Sequence, residues 1–264
     1  MKETLRISNL LFQYRLNYYK NGIRLSERVH QIIKTHLDKI PFHLNVIEAA
    51  CRGRFKETGH SLILANLLKH HVIQSSFIKN FLNIQHEYMH VTAEKNRIDV
   101  ALKGKDIFVI IENKVNDAEE MENQIYRYVN EIGIKKYGFT LPQIYVIYLN
   151  STTRTQPSLY SLCDKNKENN VFEALEKEHF KVLSYKYDIT DWLRKLSIEN
   201  EPHIASALDQ YIDFLENKFH TSPIYQNMNK EIKDFILKEL HIEGLTLQEQ
   251  ITALKNEQEK VTTL

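Results

Sequence analysis

Between Thr4 and about Leu82, apolar residues recur at three- and four-residue steps, as at Val46, Ile47 and Ala50 and again at Leu62, Ala65 and Leu68. That spacing gathers them on one side of a helix, so this stretch predicts several packed helices joined by short connections near Gly22, Pro41 and Gly53. The pattern changes between about Glu87 and Leu149. Here β-rich runs at 97–102, 107–114 and 143–149 flank one helical stretch, which predicts a sheet with a crossover. Asn116 or Asp117 can cap that helix, Glu119, Glu120 and Glu122 suit its positive N-terminal end, and Gly133 can end it. Its expected core face is Met121, Ile125, Tyr128 and Ile132. After a polar loop from Ser151 to about Asn170, a helix over 172–179, a strand over 180–185 and a helix around Trp192 continue the α/β pattern. Near the end, Leu247, Ile251, Leu254 and Val261 keep a 4-3-7 spacing with Gln258 in the skipped slot. Such a short seam predicts docking on its own domain or a short dimer contact rather than a long coiled coil.

Composition narrows the classes. Hydrophobic residues make up 42% and charged residues 26%, an ordinary globular balance, and 7 Gly with 5 Pro leave no collagen-like tract or long flexible linker. The longest apolar runs, such as Ile107 to Ile111, fall far short of the roughly 20 residues needed to cross a bilayer, and no secretory signal opens the chain. A cytoplasmic protein without a membrane span is expected. Cys51 and Cys163 form no CxxC pair and read as isolated thiols. With 35 Lys and Arg against 34 Asp and Glu, the net charge is +1, so a polyanion would have to be held by a local patch.

The chemistry concentrates in Arg97-Ile98-Asp99-Val100-Ala101-Leu102, a turn around Gly104-Lys105, and the run Ile107 to Ile111 that ends in Glu112-Asn113-Lys114. With Gly104 and Lys105 at the centre of a type II′ turn, Asp99 is expected opposite Ile110. Side chains alternate along strands, so Asp99, Glu112 and Lys114 then share one face, with Asp99 and Glu112 about 7–8 Å apart as diagonal neighbours. Two carboxylates that close repel, and a hard divalent cation such as Mg²⁺ relieves the repulsion. Lys114, on the same face, can stabilise an attacking water and the charge growing on a phosphate. Spacing alone leaves a second reading open, a solvated strand end with a surface ion pair between Glu112 and Lys114.

The surrounding order of residues resembles the PD-(D/E)XK nuclease superfamily, whose fold is the restriction endonuclease-like fold. Asp99 is followed thirteen residues later by Glu112-Asn113-Lys114 at the end of an apolar strand, and Ile98 stands where the proline of the name would be. Upstream, Glu57-Thr58-Gly59-His60-Ser61 resembles the Glu-x-x-His-Ser helix of one bacterial branch. Downstream, Gln124-Ile125-Tyr126-Arg127-Tyr128 resembles a Gln-x-x-x-Tyr element, whose spacing puts both side chains on one helix face. Tyr145 to Asn150, Ser184-Tyr185 and Trp192-Leu193 resemble later segments of that branch, so the likeness spans about Asn45 to Leu196. It implies an α/β core with a central mixed sheet flanked by helices, occupying 1–220 with an N-terminal helical layer, and a C-terminal helical extension over 221–264. It also implies Mg²⁺, replaceable by Mn²⁺, held by Glu57, Asp99, Glu112 and the Asn113 carbonyl. Lys114 would orient the nucleophile, and Gln124 and Tyr128 would position Lys114, the phosphate or a neighbouring nucleotide. His60 and Ser61 would buttress the helix that carries Glu57. The implied partner is nucleic acid, DNA rather than RNA, in a role against foreign DNA, with a homodimer or protein partner engaged through the C-terminal helix. The competing class is a binding or assembly module that keeps the fold without turnover.

Other motifs carry less. His86-Glu87-Tyr88-Met89-His90 satisfies HExxH, which on a helix supplies two zinc ligands and a general base of a peptidase. Val91 and Thr92 favour a strand instead, on which the two histidines could not converge. His70-His71 reads as a helix C-terminal feature. Arg52, Arg54 and Lys56 could steer a phosphate backbone or be merely solvated, and Arg97 is a phosphate contact or a strand-end charge. No phosphate-binding glycine loop occurs.

Overall fold

The computed structural model describes residues 2–39, 44–51, 55–166, 168–175 and 177–262. By contacts the chain divides into two units, 44–219 and the pairing of 1–43 with 220–264. The first helix groups by these contacts with the C-terminal helices.

The unit over 44–219 is built on one mixed sheet in sequential order, β1 (His90–Lys95), β2 (Ile98–Lys103), β3 (Phe108–Lys114), β4 (Ile144–Asn150) and β5 (Phe180–Ser184). The first three strands pair antiparallel and the last three parallel. Ile, Val and Phe fill β3 and β4, and such runs suit strands covered on both faces. One face of the sheet, with Val100, Leu102, Val109 and Ile111, packs on helices α3 (Glu57–Leu68), α4 (His71–Leu82) and α9 (Pro202–Phe219). The other, with Ala101, Ile110 and Val146, packs on Ile125, Tyr128 and Val129. Those three residues come from α5 (Gln124–Arg127) and the π-helical turns Tyr128–Lys136 that continue it. Short helices α2 (Val46–Cys51), α6 (Leu159–Leu162), α7 (Val171–Ala174) and α8 (Thr190–Arg194) complete this mixed α/β unit.

Three sequence expectations change here. The β2–β3 turn centres on Lys105 and Asp106, because the Gly104 N–H donates to the Ile107 carbonyl at 2.9 Å and closes the hairpin one residue later than expected. Gly104 does not adopt the left-handed conformation a type II′ turn requires; a Cβ there would meet Ile107 at 2.8 Å and Met89 at 3.1 Å. Ile110 consequently pairs with Ala101 rather than Asp99. The crossover helix starts at Gln124, not after Asn116 or Asp117, and Met121 is exposed. It also runs through Gly133, where a Cβ would stand 2.8 Å from Ile144, so this glycine permits close helix–strand packing rather than ending the helix. Finally, the segment expected as a helix over 172–179 forms one α-helical turn followed by a 3₁₀ turn, Lys177–His179.

Under the sheet, His60 lies fully buried among Phe55, Tyr185, Tyr211 and Phe214, and its Nδ1 shares a 2.9 Å hydrogen bond with Tyr211 Oη. Burial first, and Lys218 second, lower its pKa to about 3. An imidazole whose folded pKa lies below its unfolded value of 6.5 withholds a proton that the unfolded chain takes up, so stability falls as pH drops below about 6.5. Between pH 7 and pH 5 this one group is expected to remove about 2 kcal/mol, and His60→Gln to lose that share of the pH dependence in denaturant titrations.

The second unit contains α1 (Lys2–Leu37), α10 (Pro223–Glu239) and α11 (Leu247–Thr262). The helix α1 passes Gly22 without a break, since one glycine in an exposed helix costs only about 1 kcal/mol. Arg24 pairs with Glu239, and His36 Nε2 lies 2.8 Å from Glu231. On α11, Leu247, Ile251 and Leu254 stay 68%, 38% and 40% exposed, so the apolar seam forms without cover among the described residues. The side chains of Gln258 and Val261 lie outside the described set, as do Pro41, Gly53 and the side chain of Cys51. Among the described residues no helix is long and apolar enough to cross a membrane.

Candidate active site

The strands β3, β4 and β5 run parallel, so Lys114, Asn150 and Ser184 end side by side at one edge of the sheet. Crevices beyond the carboxyl ends of strands are where such sheets collect ligands. All seven residues of β3 are buried, including its polar end. Alternation sends Asn113 to the α3 side, where its Nδ2 donates to Ser61 Oγ at 3.2 Å and Ser61 Oγ donates to the Glu57 carbonyl at 3.1 Å. Glu112 and Lys114 point to the α5 side.

Asp99 joins them there. The register differs from the expected one by two residues, an even number, so Asp99 stays on the Glu112 face. It sits one step beyond the Val100–Ile111 pair, and its Oδ2 accepts the Asn113 N–H at 2.7 Å. Burial raises the Asp99 pKa to about 6, against that hydrogen bond, with Glu94 and Glu57 adding to the rise. Burial, then Asp99, raises Glu112 to about 8, with Lys114 opposing. Lys114 Nζ stands 2.9 Å from Glu112 Oε1, and Glu112 Oε2 is buried without a partner among the described residues.

Lys114 is held from two further directions. Its Nζ donates to the Glu119 carbonyl at 3.3 Å and to Gln124 Oε1 at 3.4 Å. Gln124 Nε2 in turn donates to Tyr128 Oη at 3.0 Å, and Tyr128 Oη donates to the Arg97 carbonyl. The i, i+4 pair thus ties the amine to the tip of the β1–β2 hairpin. Glu57, in the first turn of α3, accepts the Asn116 and Ala118 N–H groups at 3.0 and 3.4 Å, just beyond Lys114. The structure therefore brings Glu57, Asp99, Glu112, Asn113, Lys114, Gln124 and Tyr128 to one edge of the sheet.

Two further charged neighbours lie outside the motifs of the sequence. Glu94 stands across from Asp99 where the β1–β2 ladder skips a pair, with a left-handed φ of 55°. Lys218 Nζ donates to Asn116 Oδ1 at 2.7 Å. Lys218 extends the Tyr211–Leu215 face of α9, and a lysine on a core-facing register was the one available signal. Arg52 and Arg54 lie outside the described residues. The HExxH segment is not helical before His90 opens β1, so its histidines lack the shared helix face that zinc binding needs. His70 Nε2 pairs with Glu201 at 2.8 Å.

The donor chemistry suits a hard cation. Carboxylates whose pKa is raised by burial and by neighbouring acids gain from a positive charge, and the unpartnered Glu112 oxygen is a ready ligand. Among the described residues no three acidic, His or Cys side chains already enclose an ion position.

A mixed sheet with helices on both faces, and a half-buried Asp beside a buried Glu and Lys at its edge, defines a restriction endonuclease-like α/β protein. Residues 45–213 match the family model of the PD-(D/E)XK nuclease superfamily, and the chain belongs to that superfamily. No curated protein and no solved structure gave a significant match.

Proposed function

We propose that this chain is a divalent-cation-dependent nuclease that hydrolyses phosphodiester bonds of DNA in the cytoplasm. The observation that supports this most is the burial of Glu112 and Lys114 in contact beside Asp99 at the end of β3, within the matched region. A structural strand end would leave those charges in water, because burying them costs several kcal/mol each (roughly) and adds little stability.

Glu57, Asp99, Glu112 and the Asn113 carbonyl would hold Mg²⁺ or Mn²⁺. When bound, such an ion polarises phosphoryl oxygens and lowers the pKa of water. Lys114 orients the attacking water and offsets charge on the phosphate. Gln124 fixes the Lys114 amine, and Tyr128 fixes Gln124. Lys218, carried near Glu57, contributes a second cation for the phosphate backbone. The role against foreign DNA rests on the likeness of the Glu57–Ser61 stretch to a bacterial branch. The uncovered seam of α11 is the surface through which a second copy or a protein partner would attach.

The test incubates purified protein with plasmid DNA, linear DNA and RNA in Mg²⁺, Mn²⁺ or EDTA, beside Asp99→Ala. Cleavage of DNA that needs the metal and disappears in the variant is expected. Binding without cleavage, equal in both proteins, would turn the assignment to a silent binding module.

A further inference from the structure

The face of β1 and β2 that bears Asp99 continues away from the catalytic edge to Lys103, which pairs with His90 across the ladder. There the sheet is uncovered, and a cavity of about 180 Å³ opens between the strands and Tyr137. Its floor includes buried Ile98, Ala101 and Phe108; exposed His90, Lys95 and Lys103 form its rim, and no acidic residue lines it. Among the described residues neither Lys95 nor Lys103 makes an ion pair, whereas Arg154, Lys181 and Arg194 do. Lys103 Nζ lies 4.2 Å from the centre of the Tyr137 ring, which pins the ammonium at the cavity. The mouth is braced as well. Asn96 Nδ2 donates to Tyr137 Oη at 2.8 Å, and Asn96 Oδ1 accepts from Lys136 Nζ at 2.7 Å, bringing another cation close. In a chain of net charge +1, Lys95 and Lys103 are thus two cations without an ion pair among the described residues, set at the rim of a concave site.

Size selects the ligand. The cavity holds about six waters at roughly 30 Å³ each and is smaller than the roughly 300 Å³ at which small-molecule pockets begin. A single tetrahedral anion fits; a whole nucleotide does not. We infer that His90, Lys95 and Lys103 form a phosphate subsite that grips the substrate strand at a distance from the scissile bond, an inference that rests on the nuclease reading. Lys103 lies four residues from Asp99 along β2, about 13 Å at 3.3 Å per residue, or about four steps of a B-form strand at 3.4 Å each. Lys95, opposite Ile98, stands nearer. The phosphate can be an internal phosphodiester or the monoester at a strand end.

The experiment measures binding of short labelled oligonucleotides in EDTA over a range of salt, with 5′-phosphorylated and 5′-hydroxyl forms, for wild type, Lys95→Gln/Lys103→Gln and Lys95→Arg/Lys103→Arg. The Gln pair is expected to bind about 5- to 10-fold more weakly and to flatten the log–log salt dependence by about one. The Arg pair should keep both. Equal loss with both oligonucleotides assigns an internal phosphodiester, and loss confined to the phosphorylated form assigns a strand end. Unchanged affinity and slope in the Gln pair, with unchanged melting, overturn the subsite and leave the nuclease reading intact. Salt-dependent binding through these lysines by a chain that cleaves nothing overturns the nuclease reading alone.

Discussion

Replacing Glu112 with Gln is expected to lower cleavage by on the order of 10³-fold or more, while making the protein in EDTA more stable at pH 8 by about 4 kcal/mol. The two effects share one cause. Glu112 is 1% exposed, and burial together with Asp99 holds its pKa near 8, above the usual 4.5. A carboxyl whose folded pKa is raised supplies stability that is fully present below its unfolded pKa and is lost as pH rises through the folded one. Between about pH 4.5 and 8 the folded state therefore loses stability, because the group ionises in the unfolded chain while it stays protonated in the folded one, and Gln, permanently neutral, avoids the loss. The same charge is what a cation needs, so Mg²⁺ should raise the melting temperature of wild type and leave that of the variant unmoved. Thermal melts at pH 6 and pH 8, with and without Mg²⁺, measure all of this. A variant less stable than wild type at pH 8 in EDTA would contradict it.

Lys114→Met should give the opposite stability effect with the same loss of turnover. Breaking a buried pair by removing one partner costs about 3–5 kcal/mol when the other stays charged. Here the partner can take a proton, so the penalty is expected to be small at pH 6 and to approach about 3 kcal/mol at pH 9. The double variant Glu112→Gln/Lys114→Met should recover most of the stability at pH 9 and none of the activity, a large coupling energy in a denaturation cycle. A penalty independent of pH, or unrelieved in the double variant, would show that Lys114 acts through packing of its stem rather than through its charge.

The readable parts of the chain were those written locally. The β-branched run before Glu112 marks its strand, and side-chain alternation places Asp99 on the Glu112 face even though the turn closes one residue later than Gly104-Lys105 suggests. The start of the crossover helix was not local. Asn116 binds Glu57, Asp117 binds Ser151 and Glu120 binds Ser158, so residues that look like caps hold a loop to distant segments instead. Glu94 and Lys218 have no local link to the site for the same reason: one reaches it through a skipped ladder pair, the other from a helix about a hundred residues downstream. Gly133 looked like a stop because its reason for being small, Ile144, sits on a neighbouring strand.

The Glu57 carboxylate fastens the loop after β3 by accepting the Asn116 and Ala118 amides. Both bonds land on Oε1, so on the proposed reading the ion takes Oε2 of a carboxylate whose other oxygen the loop already holds in place. Affinity is then set by the order of that short loop as well as by the acids, and a mutation that frees it would cost the protein its ion without touching a ligand.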